Sequence, residues 1–260
     1  MKVACIQVDV QFGKPELNYE HIEKKIREAV LHHKPDTIIL PELWDTGYDL
    51  TRLDVISDVN GEKAKRILST LANELSVNII GGSVAMRTGG SVYNTMLSFN
   101  RNGEHIGTYS KAHLITLMDE EKFISPGNKT GMFTIDATPS AGVICYDIRF
   151  PEWIRKPFLE GAKLLFVPAQ WPIQREIHWR ALLIARAIEN QSYVIACNRI
   201  GSDPNNTFAG QSLIIDPWGE IVAEASKTEE EILVAELSPS LVDEVRAKVP
   251  ALNDRRKDLY

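Results

Sequence analysis

The chain has 260 residues, 44% of them hydrophobic and 25% charged, which is the composition of an ordinary globular protein with one large domain or two small ones. Its net charge of −6 provides no basic surface for a nucleic acid. No apolar run approaches the roughly 20 residues that a membrane helix needs, so the sequence excludes both a nucleic-acid partner and a membrane span.

The cysteines indicate a reducing environment. Cys5, Cys145 and Cys197 are far apart and form neither a disulfide framework nor a Cys/His zinc pattern, so no metal or other cofactor is expected. The amino terminus enters an apolar segment directly, without the features of a signal peptide. We therefore expect a cytoplasmic protein, in which a thiol can stay reactive. Cys5 and Cys197 lie inside apolar runs and are expected to be inert core thiols.

The first half of the chain alternates predicted strands and helices. Apolar residues at Ile22, Ile26, Ala29 and Val30 have the spacing of an amphipathic helix. The turn signal Asn-Arg-Asn-Gly at 100–103 predicts a hairpin. In chain order, we predict strands over 2–8, 37–40, 78–86, 92–99 and 105–109, and helices over 18–33 and 61–76.

The second half follows the same plan. An apolar strand runs into proline in each half, at Pro41 and at Pro168. In chain order, we predict strands over 142–144, 163–167, 193–197, 213–216, 220–225 and 231–236, helices over 151–160, 175–190 and 238–248, and a polar tail over 253–260. The pattern favours one domain of the α/β class, with two sheets packed together and helices outside them.

Three reactive side chains follow predicted strands. Glu42 follows 37–41, Lys111 follows 105–109 and Cys145 follows 142–144. Taken singly, they could be a surface carboxylate, a solvated cation and a core thiol. Taken together they favour an active site, because open α/β sheets bind ligands at the carboxyl ends of their strands.

These three residue types support one kind of chemistry. A cysteine thiol is a strong nucleophile once a base has removed its proton, and Glu42 is a better candidate base than any histidine in this sequence. A fixed Lys111 could stabilise the oxyanion that forms when Cys145 attacks a carbonyl or nitrile carbon. The backbone N–H of Tyr146 could be a second donor to that oxyanion.

Residues 39–43, 109–114 and 142–152 resemble, in order and spacing, the three signature motifs of the nitrilase (carbon–nitrogen hydrolase) superfamily. The resemblance implies a four-layer αββα sandwich that forms a single domain over 1–260. It implies a core over about 1–245, with the extension 246–260 at a subunit interface of a homodimer or higher homo-oligomer. It also implies a catalytic triad of Glu42 as general base, Lys111 as oxyanion stabiliser and Cys145 as nucleophile.

The resemblance suggests further site residues. A second catalytic glutamate before the Pro126-Gly127 turn fits Glu120 best and Glu121 next, although both could belong to a solvated acidic cluster. Arg149 could bind a substrate carboxylate or hold its loop through ion pairs, and His178 is expected to pack. The remaining positions expected to contact substrate are Tyr48, Tyr146, Ala169, Gln170 and Trp171.

The implied activity is hydrolysis of a small-molecule amide through a cysteine thioester, with release of ammonia. Residues 43–48 and 145–152 are most similar to the ω-amidase subgroup, which acts on 2-oxoglutaramate and related α-keto acid amides. An N-carbamoyl-amine hydrolase, an aliphatic amidase and a nitrilase are alternatives, because the triad does not specify the leaving group. A non-catalytic interaction protein on the same scaffold is a further alternative.

Overall fold

Alternate burial along the first strand reveals the layers of the fold. The computed structural model describes residues 1–259, and Tyr260, the last residue of the predicted polar tail, lies outside the described residues. Val3 and Cys5 pack into the core shared with the second sheet, whereas Ala4 and Ile6 face a separate core beneath the helices. Because successive strand residues point to opposite faces, a sheet with two apolar faces is covered on both.

Within residues 1–259 the strands form one sheet of eight and one of six. The strands are β1 (Lys2–Gln7), β2 (Thr37–Ile39), β3 (Asp58–Val59), β4 (Asn78–Ile80), β5 (Val84–Thr88), β6 (Ser91–Phe99), β7 (His105–Ser110), β8 (Met132–Ile135), β9 (Thr138–Gly142), β10 (Leu164–Ala169), β11 (Tyr193–Asn198), β12 (Leu213–Ile215), β13 (Ile221–Glu224) and β14 (Glu231–Glu236). The first sheet has the order β14-β1-β2-β4-β6-β5-β3, with β7 paired to β6. The second has the order β13-β12-β11-β10-β9-β8.

Helices cover the outer face of each sheet. They are α1 (Pro15–His33), α2 (Leu53–Ile56), α3 (Glu62–Leu75), α4 (Pro151–Leu159), α5 (Glu176–Asn190) and α6 (Ser240–Lys248). The apolar faces of α1 and α3 pack on the first sheet, and those of α4 and α5 on the second. The predicted αββα sandwich is therefore confirmed. Among the described residues, no helix is both long enough and apolar enough to cross a membrane.

The predicted strand 78–86 is wrong, because the chain turns in its middle. β4 ends at Ile80 and β5 begins at Val84, with Gly82 between them at φ +58°. A Cβ at Gly82 would lie 2.0 Å from the carbonyl oxygen of Pro41. Glycine is therefore required for the turn to pass against the segment that carries Glu42.

The strand before Cys145 is also misplaced in the prediction. It runs over Thr138–Gly142 and pairs with β8, so a whole hairpin at 132–142 was missed. Pro139 and its polar neighbours conceal this strand, because proline cannot donate to a sheet ladder. Beyond Gly142 the chain stays alongside β10, with Val143 N donating to Phe166 O at 3.0 Å. The nucleophile therefore follows an extended segment, as expected.

The helix boundaries shift by small amounts. Pro15 begins α1 three residues before the predicted start, since proline fits the first helical position. α6 continues to Lys248 and so crosses the predicted end of the core at 245. Beyond it, the carbonyl of Val249 accepts a hydrogen bond from Gln191 Nε2 at 2.6 Å. The location of 246–260 at a subunit interface stays a prediction.

Candidate active site

The three side chains predicted at strand ends meet in the structure. Glu42 and Lys111 are fully buried and Cys145 is nearly so. Lys111 Nζ lies 2.8 Å from Glu42 Oε1. The Glu42 carboxylate lies close enough to the Cys145 thiol to raise the pKa of that thiol, so base and nucleophile are neighbours. This arrangement has the geometry that activation of a thiol requires.

Glu120 is the fourth member of this cluster. It begins the 3-10 helix Glu120–Lys122 and is fully buried, whereas Glu121 is exposed. Its two carboxylate oxygens accept hydrogen bonds from Lys111 Nζ at 3.0 and 2.8 Å, and Oε2 also accepts one from Ile115 N at 2.9 Å. The structure therefore brings Glu120, and not Glu121, to the triad.

Burial and neighbouring charges set the protonation states of the cluster. Burial raises the pKa of Cys145, Glu42 raises it further, and Lys111 opposes both effects. Burial alone would lower the pKa of Lys111, but the carboxylates of Glu120 and Glu42 outweigh it and raise that pKa. The resting site thus holds a neutral thiol beside a charged lysine, and a base must act before the thiol can attack.

Asn94 on β6 was not predicted, although it joins the two glutamates. Its side-chain nitrogen donates to Glu42 Oε1 at 2.8 Å and to Glu120 Oε1 at 3.2 Å. The predicted Tyr48 lies beside it, donating to Glu42 Oε1 at 3.0 Å and accepting from Lys111 Nζ at 3.3 Å. A single polar residue within a strand belongs to no recognisable sequence pattern, so Asn94 could not be predicted as a site residue.

Gln170 connects Glu42 to the second sheet. Its backbone N–H donates to Glu42 Oε2 at 2.8 Å, and its side-chain nitrogen donates to the Glu42 carbonyl at 2.7 Å. The buried Arg199, also unpredicted, donates to Gln170 Oε1 at 3.1 Å and forms an ion pair with Asp9. Ala169 accepts from Glu42 N at 3.5 Å through its carbonyl. These contacts fix the Glu42 carboxylate from outside the triad.

The turn that presents Cys145 depends on Asp147. Cys145 has φ +45°, a conformation that is unusual for a residue with a side chain and often marks a functional site. Asp147 Oδ2 accepts from Ile144 N at 3.0 Å and from the Tyr109 hydroxyl at 2.6 Å. Its Oδ1 accepts from the backbone and ring nitrogens of His113 at 2.9 and 2.8 Å. Asp147 therefore ties the nucleophile's turn to the segment that carries Lys111.

A cavity of about 270 Å³ opens above Cys145. Five of the residues predicted to contact substrate line it: Tyr48, Tyr146, Arg149, Gln170 and Trp171. The other residues around Cys145 in its lining are Ile115, Leu117, Met118, Pro172, Arg175 and His178. Ala169 is fully buried and is not among the lining residues that the structure describes. The pair His178-Trp179, expected to pack rather than react, divides in the structure: Trp179 is buried as expected, whereas His178 is exposed beside the cavity.

A sequence model of the family described as carbon-nitrogen hydrolase matches residues 2–247. The chain belongs to this family. Membership confirms the predicted resemblance. Together with the similarity to known amidases, it confirms that this carbon-nitrogen hydrolase is an enzyme that cleaves amides.

Relatives of this carbon-nitrogen hydrolase align over nearly its full length. A 2-oxoglutaramate amidase of Bacillus subtilis (strain 168) is 49% identical over 258 residues, covering 99% of this chain and 98% of the relative. An omega-amidase of Escherichia coli (strain K12) is 33% identical over 255 residues, covering 98% and 96%. The crystal structure of Saccharomyces cerevisiae Nit3, a member of branch 10 of the nitrilase superfamily, has a TM-score of 0.90 at 29% identity, covering 98% and 96%.

The cavity of the hydrolase is positively charged. Arg149 and Arg175 line it, and no Asp or Glu is among its lining residues. Burial lowers the pKa of the Arg149 guanidinium, and the nearby Arg175 lowers it further. Within residues 1–259 neither arginine forms an ion pair with a carboxylate. Arg149 lies instead over the Trp171 ring, 4.7 Å from its centre. The described residues therefore provide no carboxylate for the ion pairs by which Arg149 could have held its loop.

Metal ligation has no obvious location in this enzyme. In the part of the chain that the structure describes, no group of three or more His, Cys, Asp or Glu side chains could hold a metal ion. The polar groups around Cys145 are hydrogen-bonded to one another instead, as in the contacts of Lys111 with Glu42 and Glu120.

Proposed function

We propose that this enzyme is an ω-amidase that hydrolyses the terminal amide of a small α-keto acid amide, with 2-oxoglutaramate as its substrate. One observation carries the proposal: a buried thiol beside a carboxylate base faces a small cavity lined by two arginines and by no carboxylate among the described residues. Similar proteins named 2-oxoglutaramate amidase and omega-amidase support it.

The first half of the reaction forms a thioester. Glu42 takes the proton of the Cys145 thiol as the sulfur attacks the amide carbon, and the carbonyl oxygen becomes an oxyanion. Lys111 donates a hydrogen bond to that oxyanion, and the backbone N–H of Tyr146 is the second donor. When the tetrahedral intermediate collapses, Glu42 returns the proton to the nitrogen and ammonia leaves.

The second half restores the enzyme. Glu42 takes a proton from a water molecule, which attacks the thioester carbon, and Lys111 again stabilises the oxyanion. Collapse breaks the C–S bond, the acid product leaves, and Cys145 recovers its proton. Glu120 contributes by holding Lys111 from the side opposite Glu42, since both its oxygens accept from Nζ. A lysine held by two carboxylates is already positioned beside the reacting carbon, and the long hydrogen bond of 3.3 Å to the Tyr48 hydroxyl is the one most easily exchanged for the oxyanion.

Recognition of an anionic substrate is assigned to Arg149. Its guanidinium is half-buried at the cavity and has no carboxylate partner within the described chain, so a bound carboxylate would fill that role. Tyr48, Tyr146, Gln170 and Trp171 shape the cavity around the reacting amide. A volume of about 270 Å³ suits a molecule of a few carbons.

Steady-state release of ammonia tests the proposal. Wild-type enzyme should turn over 2-oxoglutaramate with a higher kcat/KM than glutamine, an aliphatic amide, an N-carbamoyl amine or a nitrile. Cys145→Ala should lose at least about 1,000-fold in kcat, since it lacks the nucleophile. A higher kcat/KM for one of the other compounds would overturn the substrate assignment. Absence of turnover from a folded, reduced protein would instead favour the interaction-protein alternative.

We also propose that the enzyme acts in the cytoplasm as a homodimer. All three cysteines are free, which suits a reducing compartment. Ile177 and Ile188 on α5 are 80% and 51% exposed, and burial of such side chains would favour association with a second copy. Sedimentation equilibrium should give a mass of two chains, and a monomer at micromolar concentration would contradict the dimer.

A further inference from the structure

We infer that Arg175 is a specificity-determining residue, which acts with Arg149 to bind the carboxylate at the far end of a short amide substrate. The inference rests on the proposed function and deepens it, because it selects one chemical class: monoamides of small dicarboxylic acids. Arg175 lies outside the three motifs at 39–43, 109–114 and 142–152, and it was not among the predicted site residues.

The backbone of Arg175 is held against the cavity wall. It ends the 3-10 helix Ile173–Arg175, immediately before α5. Its carbonyl accepts from Trp171 Nε1 at 2.7 Å, and its N–H donates to Pro172 O at 3.1 Å. Trp171 is also the ring beneath Arg149, so one indole positions both arginines. Arg175 lines the same cavity as Arg149 and is close enough for its charge to lower the pKa of the Arg149 guanidinium.

The acidic residue nearest in sequence is engaged elsewhere. Glu176 accepts a hydrogen bond from Lys227 Nζ at 2.6 Å. His178, the other basic lining residue, lies 3.4 Å from Arg149 Nη2 through Nδ1. Two cations in a half-buried cavity repel each other, and an anion that binds between them removes that repulsion. The cavity is therefore built for a ligand with a carboxylate at one end.

The rest of the lining fits the remainder of such a ligand. Ile115, Leu117 and Met118 provide an apolar wall for one to three methylene groups, and Cys145 lies where the amide carbon must be. Arg149 follows the nucleophile by four residues on the same 3-10 helix, Cys145–Arg149. Arg175 belongs to a separate segment of the chain. It can therefore discriminate between substrates of different length independently of the turn that carries Cys145.

The test compares an anionic amide with a neutral one of similar length. Ammonia release would be measured with glutaramate and with pentanamide for wild type, Arg175→Gln and Arg175→Lys. Arg180→Gln is the matched control, because Arg180 lies on α5 in an exposed ion pair with Glu224. Arg175→Gln should lower kcat/KM for glutaramate by about 10- to 100-fold, mainly through KM, since a charge-assisted hydrogen bond is lost.

The neutral amide and the remaining variants are the controls for this comparison. For pentanamide, Arg175→Gln should change kcat/KM by less than about twofold, because no carboxylate is present. Arg175→Lys should recover part of the glutaramate activity, and Arg180→Gln should match wild type on both compounds. Equal losses of Arg175→Gln on both amides, or no loss on either, would overturn the role of Arg175.

This outcome can be separated from failure of the proposed function. If wild type hydrolyses glutaramate but not 2-oxoglutaramate, the α-keto substrate is wrong while the Arg175 comparison still applies. If 2-oxoglutaramate is hydrolysed and Arg175→Gln keeps the wild-type ratio of glutaramate to pentanamide activity, the substrate stands and the inference fails. Calorimetric binding of glutaramate to Cys145→Ala, with and without Arg175→Gln, gives the same distinction without turnover, and equal affinities would overturn the inference.

Discussion

The side-chain nitrogen of Asn94 lies 2.8 Å from Glu42 Oε1, and through the same nitrogen it also reaches Glu120. A neutral amide thus joins two buried carboxylates that would otherwise face each other only across Lys111. It donates a hydrogen bond to both without adding charge. The position of the Glu42 carboxylate therefore depends on a strand residue that is not among the lining residues of the cavity.

Asn94→Asp should disable the enzyme. The substitution removes the donor to Glu42 and Glu120 and puts a third buried carboxylate beside them, which repels both. We expect kcat/KM to fall by about 100-fold or more, measured as ammonia release at pH 7. Asn102→Asp, an exposed position in the β6–β7 turn, is the matched control and should retain wild-type activity. An active Asn94→Asp enzyme would show that the amide has no electrostatic role.

Glu120→Gln and Glu121→Gln form a natural pair for comparison. Only Glu120 is buried against Lys111, so its loss removes the second carboxylate that holds the lysine. We expect kcat to fall by about 100- to 10,000-fold for Glu120→Gln and by less than twofold for Glu121→Gln. Matching circular dichroism spectra would exclude misfolding as the cause. Equal activities of the two variants would contradict the assignment.

Asp147→Asn tests the support of the nucleophile's turn. The carboxylate accepts four hydrogen bonds, and an amide would turn a donor toward at least one of those N–H or O–H groups. We expect a loss of about 2–4 kcal/mol in the free energy of unfolding, measured with urea, together with slower alkylation of Cys145. Asp243→Asn, which removes an exposed ion pair with Lys163, should change stability by less than about 1 kcal/mol. If both variants unfold alike, Asp147 does not hold the turn.

Asp45 should make stability depend on pH. Burial raises its pKa from 3.8 to about 7, although the Ala85 N–H opposes the shift. The folded state then binds a proton more tightly than the unfolded state does, so the contribution of Asp45 is fully present below pH 4 and is lost as the pH rises through 7. Asp45→Asn should therefore gain up to about 4 kcal/mol relative to wild type at pH 8.5, and little at pH 4.

Urea unfolding of both proteins at pH 4, 6 and 8.5 gives this difference directly. A stability difference that does not change with pH would show that Asp45 has the same proton affinity in both states. Asp58→Asn is not a suitable control, since Asp58 accepts from the backbone of α3. Asp54 is exposed, and Asp54→Asn should leave the pH dependence as in wild type.

The sequence predicted the reactive groups better than their supports. Glu42 and Lys111 follow strands of the first sheet and Cys145 follows a strand of the second, and the ends of strands can be inferred from apolar runs. Asn94, Asp147 and Arg199 have no such signal, because each acts through a hydrogen bond to a residue far away in sequence. The bond from Asn94 to Glu42, for example, spans 52 residues.

The fold shows the same contrast. The αββα layers follow from periodicity, which repeats over many residues and tolerates single exceptions. The hairpin at 132–142 was missed because Pro139 departs from the composition of an ordinary strand, and only the pairing of β8 with β9 establishes it. A strand that is stabilised mainly by pairing with its neighbours cannot be predicted from the propensities of its own residues.

The contacts that hold Glu42 have a consequence for folding. Arg199 meets Asp9 across 190 residues of chain, and Gln170 meets Glu42 across 128. Contacts this distant in sequence form slowly, because a long loop must close before they stabilise anything. The general base therefore reaches its working position only after the two sheets have docked, and a nascent chain with only its first half folded carries Glu42 and Lys111 without catalytic power.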